Sequence, residues 1–236
     1  MKSPEILYLD REMIVAVKPS GLLSQGDAAG DPDILVLLSA ELRRRREPDT
    51  IYPIHRLDRG VGGVMVFART SEAASRLSLQ LSDPEHAHKE YLAICHGVPN
   101  PLSGEMLDTL FHDERKRRTE VVPPSHPKGK PARLAYRLIK ETEHAGKSYS
   151  LLWIRLYTGR THQIRAQLSS RGLPLAGDGR YGGKDRFPSI ALFAYRLSLS
   201  HPKDGRRLTF TALPEADLPF SLFTDEISEL NERSNP

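Results

Sequence analysis

The sequence predicts an α+β fold with a largely antiparallel or mixed sheet. Of its 236 residues, 39% are apolar and 27% are charged, a balance typical of chains that build a packed core. Short apolar runs typical of strands outnumber the helical patterns, and the two do not alternate as they do in parallel α/β folds. We expect a single domain over residues 1–236, with its sheet divided into two halves near residues 112–130.

The first hundred residues contain both kinds of element. Short runs of apolar and β-branched residues predict four strands, at 6–9, 13–17, 63–68 and 91–95. Asp31 is predicted to cap a helix that has Pro32 at its first position and ends in the arginine run 43–46. Ser71 is predicted to cap a second helix that continues to about residue 81.

The rest of the chain is predicted to be mostly strand. Four further strands are expected, at 132–140, 149–157, 190–200 and 207–212, the last two joined by a hairpin turn. Residues 112–130 are basic, contain prolines and lack periodicity, so we interpret them as a loop. A short helix is predicted over 161–171, with Thr161 as its N-cap and Gly172 as its C-cap.

The charge, the cysteine count and the apolar stretches of the chain exclude several classes of protein. The formal net charge of +4 permits a polyanionic partner without requiring one. A single cysteine, Cys95, excludes an intrachain disulfide framework and any paired-cysteine metal site. The chain has no apolar stretch typical of a signal peptide or a membrane span, so we expect a cytoplasmic protein with no membrane partner.

Two motifs suggest a bound cofactor or metal, but the residues and predicted elements around them do not fit such a site. Residues 177–182 match G-x-G-x-x-G, but a helix is predicted before them where a dinucleotide site needs a strand. His86 and His88 have ligand-like spacing, but no carboxylate or thiolate cluster supports them, which favours surface histidines. We therefore expect neither a nucleotide cofactor nor a metal.

Three short motifs carry candidate chemistry. His55, Arg56 and Asp58 lie just before the predicted strand at 63–68, and loops at strand ends commonly hold catalytic side chains. Taken alone, these residues favour the simpler alternative that Asp58 caps a turn and pairs with a neighbouring arginine. Tyr91 enters a predicted strand, which by itself indicates little, because core tyrosines are common.

The third motif is T-G-R-T-H-Q-I-R at 158–165. A helix start that carries Arg160 and Arg165 favours an anion, either a phosphate or a buried carboxylate. The alternative is a solvated basic helix start.

Taken together and in order, these motifs resemble the RluA-type pseudouridine synthases. That family's pattern is H-R-L-D, K-x-Y, T-G-R-T-H-Q-I-R and a G-x-P segment that ends in G-D-x-x-Y-G. Here these motifs stand at 55–58, 89–91, 158–165 and 172–182, and the resemblance extends over roughly residues 5 to 220. It implies a pseudouridine synthase fold, with helices flanking the sheet and a central catalytic cleft. It also implies a cofactor-independent isomerase that converts uridine to pseudouridine in structured ribosomal RNA or tRNA. A monomer is the default expectation for its oligomeric state.

The resemblance also implies residue roles. Asp58 falls on the catalytic aspartate, Tyr91 on the tyrosine that packs against the target base, and Arg165 on the arginine that pairs with the aspartate. Arg56 is implied to help displace the base from its stack. A cation is needed because a buried carboxylate otherwise tends to protonate. The same motifs supply three further candidates for contact with RNA: His55, Arg160 and His162.

Two of the departures of this chain from the family pattern bear on its function. Val61 and Gly62 stand where Thr and Ser are usual. The small RNA-binding domain that many members carry before the catalytic domain is not expected here, so the catalytic domain has to grip RNA itself. Two basic runs are the candidate phosphate contacts: Arg43, Arg44, Arg45 and Arg46, and Arg115, Lys116, Arg117 and Arg118. Solvated surface is the alternative for both runs.

Two other functions are compatible with the same scaffold. An RNA-binding or assembly module that no longer catalyses would account for the altered residues at 61–62, and measured turnover distinguishes it from an enzyme. A hydrolase that uses Asp58 and His55 would release the base, whereas an isomerase leaves it attached. A hydrolase would need a second carboxylate at a catalytic position or a metal, and the motifs supply neither, which disfavours this alternative.

Overall fold

The computed structural model describes residues 4–26, 31–183, 185 and 187–232, and the chain forms two compact units. The first consists of Met1–His88 and Ala194–Ala212, and the second of Lys89–Phe193 and Leu213–Pro236. The segment expected to divide the sheet, 112–130, lies inside the second unit. In the described ranges no helix is long and apolar enough to cross a membrane.

Strands and helices together confirm the α+β class. In chain order they are β1 (Glu5–Leu9), β2 (Met13–Lys18), α1 (Ile34–Arg44), β3 (Tyr52–Pro53), β4 (Gly62–Ala68), α2 (Ser71–Ser82), β5 (His88–His96), β6 (Ser103–Asp113), β7 (Arg118–Val122), β8 (Lys130–His144), β9 (Lys147–Leu156), α3 (Gln163–Ser169), β10 (Leu192–Ser200), β11 (Arg207–Thr211) and α4 (Thr224–Glu232). A 3₁₀ turn, Phe220–Phe223, precedes α4. Neither it nor α4 was predicted from the sequence.

The first unit is a small antiparallel sheet with a helix packed on one face. β2 pairs with β1 and β4, β3 pairs with β4, and β11 pairs with β10, which lies beside β4. Alternate residues of β2, β4 and β10 share a face, and α2 covers it with its apolar stripe. The residues buried there are Met13, Val15, Val64, Val66, Ala68, Ala73, Leu77, Leu81, Ala87, Leu197 and Leu199.

Both predicted caps in this unit are corrected. Asp33, not Asp31, caps α1, because its carboxylate accepts a hydrogen bond from an N–H in the first turn at 2.8 Å. Asp31 instead forms an ion pair with Arg59 at 2.7 Å. α2 begins one residue earlier than predicted, since Thr70 rather than Ser71 accepts from the N–H three residues on. In both cases the capping oxygen lies three residues before the donor, as N-cap geometry requires.

The second unit is an antiparallel sheet with strand order β5-β9-β8-β6-β7. The interpretation of 112–130 as a loop was wrong, because β6 extends to Asp113 and β7 pairs with it from Arg118 to Val122. Only Thr119 of β7 is buried. The hairpin is therefore held by its backbone ladder rather than by an apolar face, which is why hydrophobic periodicity missed it.

Candidate active site

The H-R-L-D loop of the first unit, which joins β3 to β4, is held by its backbone and by His55. The N–H of Leu57 donates to the Ser24 hydroxyl oxygen at 3.0 Å, and that hydroxyl donates to the Leu57 carbonyl at 2.7 Å. The His55 Nε2 atom accepts from the N–H of Val66 in β4 at 3.1 Å. The Asp58 carbonyl closes a turn by accepting from the N–H of Val61 at 3.0 Å. The backbone is thus held on both sides of the Asp58 side chain, at Leu57 before it and at the Asp58 carbonyl after it.

A buried lysine also stabilises this loop, by donating hydrogen bonds to backbone carbonyls. Lys18, at the end of β2, is inaccessible to solvent, and its ammonium donates to the carbonyls of Pro19, Leu22 and Arg59 at 3.0, 2.6 and 3.2 Å. Burial lowers the pKa of Lys18 to about 8, and the negative charge of Asp58 acts in the opposite direction. Sequence reasoning missed Lys18, because a lysine at a strand end usually reaches solvent.

The lowered pKa of Lys18 predicts a pH dependence of stability. The unfolded pKa is the ordinary 10.5, so between about pH 8 and pH 10.5 the unfolded chain binds the extra proton. Stability of the native protein should therefore rise with pH across this window, relative to Lys18→Met, by up to about 3 kcal/mol. Urea unfolding of both proteins from pH 7 to 10.5 measures the difference, with Lys140→Met as an exposed control. Parallel curves for the native protein and Lys18→Met would contradict it.

In the second unit, the T-G-R-T-H-Q-I-R motif surrounds the start of α3. The helix is shorter than predicted, and Thr161 does not cap it, because the helix begins at Gln163 and the N-cap position falls on His162, which makes no side-chain cap bond. The Thr161 carbonyl accepts from the Thr119 hydroxyl at 2.8 Å. His162 stands before the helix in the left-handed conformation, with φ of 52°. The side chain of Gln163 binds the loop, accepting from the Arg160 N–H at 3.0 Å. Gly172 has a φ of +74° and lies two residues after the C-cap rather than at it.

Arg165 in α3 binds a buried carboxylate. Its Nε and Nη2 atoms donate to the two oxygens of Asp178 at 2.7 and 2.9 Å, and the side chains are 6% and 1% exposed. Such a two-point pair is the geometry in which guanidinium–carboxylate contacts are strongest. Of the two anions that the residues suggested for this motif, the structure therefore contains the carboxylate. Asp178 itself was missed, although the G-D-x-x-Y-G segment contains it.

The remaining site residues are distributed between the two units. Tyr91 is 8% exposed and pairs with Ile154 in the ladder between β5 and β9. Tyr91, Arg160, His162 and Arg165 belong to the second unit, whereas His55, Arg56 and Asp58 belong to the first. Arg56 is exposed. Burial lowers the pKa of Lys89, which opens the K-x-Y motif.

The two basic runs differ in how their charges are used. In the first run, Arg43 pairs with Asp49 at 2.5 Å, and Arg44 and Arg45 both pair with Glu41 at 2.7 Å. Hydrogen bonds from these two arginines lower the pKa of Glu41 to about 2.

In the second run, Arg115, Lys116 and Arg117 are exposed at the tip of the β6–β7 hairpin. Asp113 accepts from two backbone N–H groups of this turn and lies 3.8 Å from the Lys116 ammonium. Arg118 lies with its guanidinium 5.1 Å from the ring centre of Tyr181. Three arginines of the first run are thus held in short ion pairs, whereas the ion pair that the structure shows among the three exposed cations of the hairpin tip is the long Lys116–Asp113 contact.

Comparison with known proteins identifies the family. The family model described as RNA pseudouridylate synthase matches residues 12–170. The chain is 36% identical to ribosomal large subunit pseudouridine synthase D of Yersinia pestis over 89% of this chain and 67% of that protein. It is 33% identical to the dual-specificity RNA pseudouridine synthase RluA of Escherichia coli K12 over 88% of this chain and 91% of that protein.

A solved structure agrees on the fold. Human RNA pseudouridylate synthase domain containing 1 superposes with a TM-score of 0.73 at 24% identity, over 92% of this chain and 85% of that one. The predicted resemblance is thereby confirmed, and the chain belongs to the RNA pseudouridylate synthase family, as an isomerase that acts on RNA.

Proposed function

We propose that this chain isomerises uridine in ribosomal RNA or tRNA by flipping the target base out of its stack, with Asp58 as the catalytic group. The observation that carries the proposal is the fixed H-R-L-D loop, in which Ser24 binds both backbone groups of Leu57 directly beside Asp58. A carboxylate held by its backbone in this way pays little reorganisation cost when the substrate arrives.

The reaction defines what the site has to do. The C–N glycosidic bond breaks, the uracil rotates, and a C–C bond forms between ribose C1′ and uracil C5. The C5 hydrogen leaves as a proton, and N1, released from the ribose, takes up a proton, so that the product is an isomer of the substrate. Asp58 acts in its ionised form on the ribose or the base, as a nucleophile or as a proton acceptor. We propose that Arg165 keeps it ionised, as the family pattern implies. Tyr91 provides a ring on which the flipped uracil stacks. The exposed Arg56 fills the position in the RNA helix that the uracil has left.

The remaining candidates are proposed RNA contacts around the flipped nucleotide: His55, Arg160 and His162. His55 already accepts a hydrogen bond from β4 and Arg160 donates from Nε to the Pro131 carbonyl at 3.0 Å. We therefore propose that His55 and Arg160 have two roles: each holds the loop that carries it in place, and each contacts the RNA. The names of the relatives point to two substrate classes, since one acts on the ribosomal large subunit and the other is dual-specific.

Tritium release tests the proposal. Ribosomal RNA and tRNA labelled at uridine C5 are prepared from cells that lack this protein and incubated with it separately. We expect release from one of the two fractions, with pseudouridine found in the digested RNA. Free uracil in place of pseudouridine would indicate a hydrolase. RNA binding with no release from either fraction would indicate a module that no longer catalyses.

The two basic runs make a separate prediction about the salt dependence of RNA binding. Replacing Arg115, Lys116 and Arg117 with glutamine should reduce the slope of log Kd against log salt by about 2, since each phosphate contact contributes roughly 0.7–0.9. The same change at Arg43, Arg44 and Arg45 should alter the slope by less than about 1, because these charges are already paired with carboxylates. Filter binding at several salt concentrations measures both slopes, and equal changes would argue against the hairpin as the main phosphate contact.

A further inference from the structure

The guanidinium of Arg165 is held on two sides by residues of one short segment. Asp178 grips its edge through the two hydrogen bonds described above. The ring of Tyr181 lies against its face, with the guanidinium carbon 4.8 Å from the ring centre. The pair of contacts fixes both the direction and the plane of the guanidinium.

Tyr181 is itself held at both ends. It is 3% exposed, and its hydroxyl oxygen accepts from the Thr119 N–H at 2.6 Å and lies 3.0 Å from Nδ1 of His162. The backbone carbonyl of Tyr181 accepts from the Ser169 hydroxyl at 2.6 Å. Burial raises the pKa of the Tyr181 phenol, so that it stays protonated and neutral at ordinary pH. The ring is therefore a rigid wall beside Arg165.

The backbone keeps the two supports in register. The Asp178 carbonyl accepts from the N–H groups of Tyr181 and Gly183 at 3.0 and 2.9 Å, which forms a compact turn. A Cβ at Gly183 would lie 2.1 Å from the Leu175 carbonyl oxygen, so only glycine fits there. The turn thus presents the carboxylate and the ring to Arg165 as one unit.

We propose that Asp178 and Tyr181 are positioning residues for Arg165, which set where its charge is delivered during isomerisation without touching the substrate. This rests on the proposed function, in which Arg165 is the cation that keeps Asp58 ionised. An arginine side chain has many rotamers, and a displacement of about 1 Å of a catalytic group is enough to cost roughly 100-fold in rate.

Four variants test the proposal against a structural role alone. Asp178→Asn keeps the shape but removes the charge, Tyr181→Leu removes the ring, and Tyr181→Phe keeps the ring and removes the hydroxyl. Tyr149→Phe is the matched control, because Tyr149 is equally buried in the same unit and its hydroxyl donates to Asp185 at 3.0 Å, outside this cluster. For each, the single-turnover rate of tritium release and the RNA Kd are measured separately, below the onset of thermal unfolding.

Positioning predicts a loss in rate without a loss in affinity. We expect Asp178→Asn and Tyr181→Leu to slow the single-turnover rate by about 10- to 100-fold, with Kd within about 2-fold of the native value. Tyr181→Phe should retain most of the rate, and Tyr149→Phe all of it. If Asp178→Asn does not fold, the contrast between Tyr181→Phe and Tyr181→Leu carries the test.

The result that overturns the inference is a folded Asp178→Asn or Tyr181→Leu protein with the native rate. Parallel losses of rate and RNA affinity would also overturn it, since they would assign the cluster to RNA binding. Failure of the proposed function has a different signature. In that case the native chain releases no tritium, and both proposals fall together.

Discussion

Replacing Arg165 with methionine is expected to lower the free energy of unfolding by about 3–5 kcal/mol and to abolish isomerisation. The cost in stability comes from Asp178, whose carboxylate is 1% exposed and would lose both hydrogen bonds from the guanidinium. A buried charge without its partner is far more costly than the pair is stabilising. The loss of activity follows from the proposed role of Arg165 in keeping Asp58 ionised.

The two effects separate in a double variant. Arg165→Met/Asp178→Leu removes both charges, so it should recover most of the lost stability but none of the activity. Arg171→Met is the control, because Arg171 is 36% exposed and its ion pair with Asp108 should contribute less than about 1 kcal/mol. Urea unfolding measures all three variants. Finding Arg165→Met as stable as Arg171→Met would show that Asp178 does not depend on Arg165.

Replacing Asp58 with asparagine is expected to slow isomerisation by at least about 1,000-fold, with fold and RNA affinity largely intact. Asparagine has the shape of aspartate, but it can be neither an ionised nucleophile nor a proton acceptor. The loop is held by Ser24 and Lys18 through the backbone of its other residues, so the substitution leaves those contacts in place. Removing the negative charge should lower the pKa of Lys18 further, since Asp58 raises it.

Tritium release, RNA binding and urea unfolding are compared for Asp58→Asn, the native protein and Asp83→Asn. Asp83 is an exposed carboxylate of the same unit that pairs with His86, and its loss should leave the rate unchanged. Substantial turnover by Asp58→Asn would remove Asp58 from the mechanism, whatever the behaviour of Arg165.

Of the eleven strands in the described residues, the sequence predicted eight and missed β3, β6 and β7. β2 and β4 were found because their residues are almost all buried and apolar. β7 was missed, because its residues are mostly polar and its stability comes from pairing with β6. Such pairing joins residues through turn geometry and backbone hydrogen bonds, which hydrophobic periodicity does not encode. The three predicted helices are all present, but their capping residues lie one or two positions away from those predicted.

For the candidate site, the ordered motifs located the H-R-L-D loop and α3 but not the residues that support them. Lys18 is buried among two nearby carbonyls and the distant carbonyl of Arg59, and Asp178 is buried against an arginine 13 positions away. A single sequence predicts charged side chains at the surface unless a partner is known, and both partners come from the tertiary fold. Ser24 was missed for the same reason, since a serine in a glycine-rich loop usually indicates only a turn.

The discontinuous first unit has a consequence for how the protein is made. Its core contains Leu197 and Leu199 of β10, which are synthesised after all the strands of the second unit. During translation, the first 88 residues therefore wait with an incomplete core while β5 to β9 emerge and pair with one another. The part of the chain that is made first thus cannot complete its core until residues 194–212 have emerged, and its exposed strands have to be kept from aggregating in the meantime.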